Sequence, residues 1–344
     1  MIDSMYRTPE LPKMSAKGTL LDKPQTAADA IIEAGLNWTV LEQDIFFQQD
    51  GPLGNRIGFD PAYHYLIPNR KALVRSDTLA TLGIFSKGYE VVQNRDAFGM
   101  FDEVIGAGEA IYHSAGSLDG GKKVWVMAKL PTDIEITPND KVGKFILLTN
   151  THDGSRSLRM SMMAQRFACW NSISAVLRRT SSTDFVAKHT KNVLNKASEA
   201  RQMLGLADVY YDILAKQIDE LVNTRWNTLQ THNYIKDVLD FDDEREAQDH
   251  RLVKTYDAVV ELLEHPLNVQ GGMKGTKWAA FNAFTHYIDH ERPIRAGGTV
   301  EDRNEKRLEN SWFGRGESLR QRAYDHLWSD DPYFSKKVHS IVGV

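Results

Sequence analysis

Cysteine is almost absent from these 344 residues. The single one, Cys169, excludes an intrachain disulfide and any zinc site built from several thiolates of one chain. Such usage fits a reducing, cytoplasmic setting. No apolar run approaches the ~18 residues needed to span a bilayer, so no membrane partner is expected. The opening MIDSMYRTPELPKMSAKGTLLDK has no apolar core of the secretory type. The phosphate-binding pattern G-x-x-x-x-G-K followed by Ser or Thr is missing, which disfavours an ATPase of that class. No cofactor is called for. Internal repeats and low-complexity tracts are absent. Positive charge is in the minority, 42 Lys and Arg against 46 Asp and Glu, for a net charge of −4.

Against that background, residues 141–196 stand out. They carry ten Lys and Arg and two acidic residues, Asp153 and Asp184. A local positive excess in an acidic chain points to an anionic partner, nucleic-acid phosphate above all. The candidate phosphate contacts are Lys144, Arg156, Arg159, Arg166, Arg178, Arg179, Lys188 and Lys191. Trp170 and Phe167 are candidates for base stacking, worth roughly 1–3 kcal/mol per base. The competing reading is a solvated face that pairs with the chain's own carboxylates. Residues 217–264 hold twelve acidic against five basic residues, which places any phosphate surface in the middle of the chain.

The hydrophobic pattern predicts an α+β fold: an antiparallel, meandering sheet with helices, then a helical C-terminal half. Residues 1–25 read as an arm ordered only by docking, 26–192 as the α+β core and 193–344 as the helical region. Thr26 is placed to cap a short helix ended by Gly35. Residues 64–67 and 72–75 read as two short strands around Pro68 and Asn69. Asp119-Gly120-Gly121 turns a hairpin. Leu158, Met160 and Met162 alternate with Arg159 and Ser161. From Val193 to Leu221 apolar residues recur at spacings of four and three, a seam for one long helix packed within the chain or on another subunit. The tail, Trp312–Leu327, reads as a Gly-containing turn, then a basic amphipathic helix.

Several groupings admit two readings. His152-Asp153-Gly154-Ser155 suits a small catalytic or metal-binding turn, and equally a plain tight turn. Cys169 suits a nucleophile, with His152 or His189 as base and Asn171 as orienter, or a small buried apolar residue. His189-Thr190-x-Asn192 fits a phosphate contact or a helix cap. His286 and His290, four apart, have the spacing of a metal pair, but no third ligand can be named.

Asn150, His152, Asp153, Gly154, Ser155, Arg166, Cys169 and Asn171, followed by His189, Thr190 and Asn192, resemble the motifs of the DUF932 family, a domain of unknown function found in phage- and plasmid-borne proteins. FNAFTHYIDH and FGRGESLRQRA resemble its close, and the resemblance covers about residues 30–330. It implies DNA work in recombination or replication, and its strands followed by a helix are similar to Rad52-like annealing proteins at the level of fold. The expectation is therefore a homo-oligomeric protein that binds nucleic acid, single-stranded DNA by preference. The alternatives are an enzyme acting near His152, Asp153 and Cys169, and a helical protein that recruits a host or phage partner.

Overall fold

A computed structural model describes residues 18–21, 26–48, 64–168, 171–173, 184–190, 193, 197–241, 249–295 and 298–328. Strands dominate to residue 187 and helices thereafter, the α+β division expected. The strands form two antiparallel sheets rather than one meander. The larger runs β1 (Gly18–Leu20), β5 (Ile111–Leu118), β6 (Lys123–Lys129), β8 (Asp140–Thr151), β9 (Leu158–Arg166) and β10 (Asn171–Ser172). β7 (Ile134–Thr137) also pairs with β8, and β11 (Asp184–Ala187) with β9. The smaller sheet is β2 (Val40–Gln48), β3 (His64–Arg75) and β4 (Thr81–Ser86).

Local chemistry explains most of these elements. Thr26 and Asp29 form a reciprocal capping box that starts α1 (Ala27–Glu33), and Gly35 follows at positive φ. Asp119 and Gly120 supply the left-handed backbone that joins β5 to β6, with Leu118 opposite Lys123. The end of the N-terminal arm docks as β1 on β5. Pro68 and Asn69 do not split the chain into two strands. β3 passes through them, Asn69 at φ 59°, where the pairing with β2 shifts between Asp44 and Phe46. The expected turn is a bulge in one long strand.

The central strands of the larger sheet are buried on both faces. Val124, Val126, Ile146, Leu148, Met160 and Met162 join one apolar core with α2 (Asn94–Glu109), α4 (Ala207–Asn223) and α8 (Lys277–His286). Trp125, Met127, Phe145, Leu147 and Met163 face the other way, under Leu308 and Trp312 of α9 (Val300–Phe313). The Trp125 and Trp312 rings meet edge to face at 5.2 Å.

The predicted long helix is two helices, α3 (Ala197–Gly205) and α4, broken at Leu206. Its seam residues Ala200, Ala207, Tyr211, Leu214, Ile218 and Leu221 are buried in the chain's own core. The Tyr211 hydroxyl lies 2.6 Å from the Phe145 carbonyl and 2.9 Å from that of Met163, and accepts from the Phe145 N–H at 3.1 Å. The seam offered to a second subunit is thus occupied within the fold. Tyr211→Phe should cost about 1–3 kcal/mol in urea unfolding, because buried peptide groups lose a partner. An unchanged midpoint would remove this anchor.

Candidate anion-binding cleft

Helix α6 (His250–Leu262) starts at Asp249, whose carboxylate accepts from the Arg251 and Leu252 N–H groups. Helix α9 starts at another capping box, Thr299 with Asp302. At Gly314 the chain passes directly into α10 (Arg315–His326). A π-helical turn, Tyr287–Glu291, continues α8 and holds these parts together. Its Asp289 carboxylate accepts from the Ser172 N–H at 2.8 Å, the Ser311 hydroxyl at 2.5 Å and the Arg320 guanidinium at 2.5 Å. One buried acid therefore ties the sheet edge to α9 and α10.

Between α6, the segment 291–295, α9 and the start of α10 lies a cleft of about 1340 Å³. Lys123, Ser155 and Arg156 close its sheet side. Its lining has eight cations, Lys123, Arg156, Arg251, Lys254, Arg292, Arg295, Lys306 and Arg315, against Glu261, Glu291 and Glu309. That is an excess of five positive charges in a chain of net −4.

Three of the cations are balanced within the protein. Lys123 bridges Asp153 at 3.2 Å and Glu309 at 2.8 Å, Lys306 meets Glu309 at 2.8 Å, and Arg156 meets Glu317 at 3.1 Å. Burial pushes the Glu309 carboxyl up, yet its two lysines outweigh that and hold it below the ordinary range. The other five have no carboxylate within 4 Å among the described residues. The Arg292 guanidinium donates to the Asn310 side-chain oxygen, at 3.2 Å. Burial lowers its pKa; Tyr287 opposes the shift and the positive charge of Arg315 adds to it. Arg251, Lys254, Arg295 and Arg315 are exposed. Unbalanced cations converging on a concave, partly desolvated wall are what an anion needs.

The cleft is not where the sequence placed the phosphate surface. Of the expected contacts only Arg156 lines it. Arg166 is fully buried, its guanidinium clasped by Asp140 with nitrogen–oxygen distances of 2.6–3.0 Å, and lies 5.8 Å from the Trp278 ring centroid. It is a core residue and cannot meet a phosphate. Arg159 is paired with Asp184, its Nε at 3.1 Å. Lys144 is half-buried, 3.3 Å from the Thr132 hydroxyl and over the Tyr211 ring. Lys188 is exposed. Phe167 packs half-buried beside Phe145. Trp170, Arg178, Arg179, Lys191 and Cys169 lie outside the described residues.

The motif residues have structural work. Asp153 accepts from the Ser155 N–H at 2.9 Å and hydroxyl at 2.6 Å, a closed tight turn. Burial pushes its carboxyl up, but Ser155 and Lys123 together lower it below the usual range. Gly154 sits at φ +75°, and a Cβ there would come within 2.7 Å of the Phe85 ring, so glycine is required twice over. The turn presents Ser155 and Arg156 to the cleft. His152 is buried, its Nε2 2.9 Å from the Asn94 side-chain oxygen. His189 stacks on Tyr89 with centroids 5.1 Å apart, and burial lowers its pKa. Asn171 takes other partners, His290 at 3.1 Å and the Asn282 carbonyl at 3.4 Å. His152 and Asn171 are each committed to a different structural bond. The rings of His286 and His290 meet edge to face at 4.9 Å, with His265 against His286 at 4.4 Å. Among the described residues no group of three or more His, Cys, Asp or Glu is arranged to hold a metal.

Burial lowers the pKa of His152 to about 4, with His189 adding to the shift. Burial also lowers that of His113 to about 4, with Lys129 adding to it. The unfolded chain takes up these protons near pH 6.5 and the folded chain only near 4. Stability should therefore fall as pH drops through that window, by about 1.4 kcal/mol per pH unit for each group. The lowered Glu309 and Asp153 carboxyls withdraw their contribution as pH falls below their ordinary values of 4.5 and 3.8. In thermal melts at pH 7 and 5, His152→Asn should start lower but lose about 2 kcal/mol less than wild type between the two. An equal loss in both proteins would mean that His152 is protonated in the fold.

Among the described residues no helix is long and apolar enough to cross a membrane. The family model described as a domain of unknown function, DUF932, matches residues 81–312. No curated protein and no solved structure matches the chain.

Proposed function

The chain belongs to the DUF932 family, and as that description carries no activity, we propose from the chemistry of the cleft that the protein binds single-stranded nucleic acid there. The observation that carries the reading is the set Arg251, Lys254, Arg292, Arg295 and Arg315, five cations around one concavity with no carboxylate partner among the described residues. The volume, about 1340 Å³, exceeds the ~300–1,000 Å³ of a site for a drug-sized molecule. A flexible polyanion suits it better than a compact metabolite. The half-buried Phe313 in the wall, with the Arg156 guanidinium 5.4 Å from its ring centroid, adds an aromatic surface of the kind on which unpaired bases stack. DNA is favoured over RNA because the family resemblance implies recombination or replication of phage and plasmid DNA. The reading needs neither a second subunit nor a cofactor.

Fluorescence anisotropy with a labelled oligothymidylate at two salt concentrations tests it. Five phosphates neutralised on a single strand give a slope of about −3 to −4 in log affinity against log salt. A duplex of the same length should bind more weakly. Absence of binding at low salt would end the proposal.

A further inference from the structure

The cations are not spread evenly around the cleft. Arg292 and the first turn of α10, which begins at Arg315, meet at Asn310 where α9 passes into α10, and one atom organises the junction. The Asn310 side-chain oxygen accepts from the Arg292 guanidinium at 3.2 Å and from the Gly316 N–H at 3.0 Å. The contact is tight. A Cβ on Gly316 would lie 2.9 Å from the Asn310 carbonyl oxygen and 3.0 Å from Ile288, and one on Gly314 would lie 3.1 Å from the Asn310 Cα. Asn310 can take both donors only because neither glycine carries a side chain. Arg292 is half-buried and Arg315 exposed, and both line the cleft. Neither has a carboxylate partner among the described residues. The lowered pKa of Arg292, due first to burial, opposed by Tyr287 and reinforced by Arg315, agrees with a second positive charge on the same cleft wall.

We infer that this corner of the cleft is a subsite for a terminal phosphate monoester, so that the protein grips a phosphorylated end of the strand as well as its backbone. The inference rests on the single-strand reading and deepens it. An internal phosphodiester brings one negative charge and two free oxygens. A terminal phosphate brings nearly two charges near neutral pH and three acceptor oxygens. Two guanidinium groups at one corner match the second set better, because each fork can engage two of the three oxygens, one of them shared. The other cations, Arg251 and Lys254 on α6, face the cleft from a different wall and suit the diester backbone.

The experiment is anisotropy with three internally labelled oligonucleotides of one sequence, carrying a 5′-phosphate, a 3′-phosphate or hydroxyls at both ends. For the wild-type protein at fixed salt, one phosphorylated end should bind on the order of tenfold tighter than the hydroxyl-ended strand. Arg315→Gln should abolish that ratio, whereas Lys254→Gln should weaken all three strands and leave the ratio intact. Equal affinity for all three strands in wild type overturns the subsite and leaves backbone binding standing. A ratio that survives Arg315→Gln and is lost in Lys254→Gln also overturns it. Failure of every strand to bind removes the single-strand reading and the subsite with it.

Discussion

The variant Arg251→Glu/Lys254→Glu/Arg315→Glu should bind single-stranded DNA at least about 100-fold more weakly than wild type at 0.1 M salt. Each neutralised phosphate contributes about 0.7 to the salt slope on single strands, so three lost cations remove about two units of slope. The electrostatic contribution vanishes near 1 M, so two units of slope are about two decades of affinity at 0.1 M. Folding should be untouched, because all three side chains are exposed and none has a carboxylate partner among the described residues. The comparison is Lys144→Glu/Lys188→Glu, which reverses two cations of the segment that looked most basic in the sequence. Neither lines the cleft, and this variant should bind within about threefold of wild type, as expected of a rim charge outside the site. If the two variants exchange behaviour, the phosphate path runs through the middle of the chain.

Arg166→Ala should have the largest effect on stability, a loss of about 3–5 kcal/mol in urea unfolding. Removing the guanidinium leaves the fully buried Asp140 carboxylate without its counter-ion, which is the costly way to break such a pair. Against a total stability of about 5–15 kcal/mol this is enough to leave little folded protein at moderate temperature. Asp140→Leu combined with Arg166→Met should be far less damaging than either truncation, since apolar residues of similar volume often replace a buried pair at little net cost. If Arg166→Ala is as stable as wild type and loses DNA affinity instead, Arg166 belongs to a surface contact and the buried pair is wrong.

Much of the architecture was legible because it rests on local chemistry. Asp119-Gly120-Gly121, Thr26 with Asp29 and the alternation from Leu158 to Met162 each encode their structure within a few residues. The misreadings share a different cause. Pro68-Asn69 looks like a turn, and only the partner strand shows that it is a bulge. The spacing from Val193 to Leu221 identifies a helical seam, but not that its Tyr211 anchors to the sheet. β10 and β11, two and four residues long, are too short for any periodicity to register. Arg166 reads as a surface charge because Asp140, 26 residues earlier, closes on it only in three dimensions.

The cleft was invisible for a related reason. Its cations come from positions scattered between 123 and 315, so any window over the chain holds only a few of them. Folding then sorts them. Arg156, Arg159 and Arg166, from the basic segment, meet Glu317, Asp184 and Asp140, and cations from the more acidic half remain without partners. The one hint was the basic tail beginning at Gly314-Arg315-Gly316, which the sequence marks as a turn and a helix without saying what Asn310 brings to it.

The most direct measurement is photocrosslinking to a single-stranded oligonucleotide carrying bromodeoxyuridine, followed by peptide mapping. Crosslinks in peptides that contain Arg251–Leu262, Arg292–Arg295 or Lys306–Gly316 are the predicted result. Crosslinks confined to residues 157–196 would contradict the account, since they would put the nucleic acid on the segment whose described arginines, Arg159 and Arg166, the protein already uses to hold itself together.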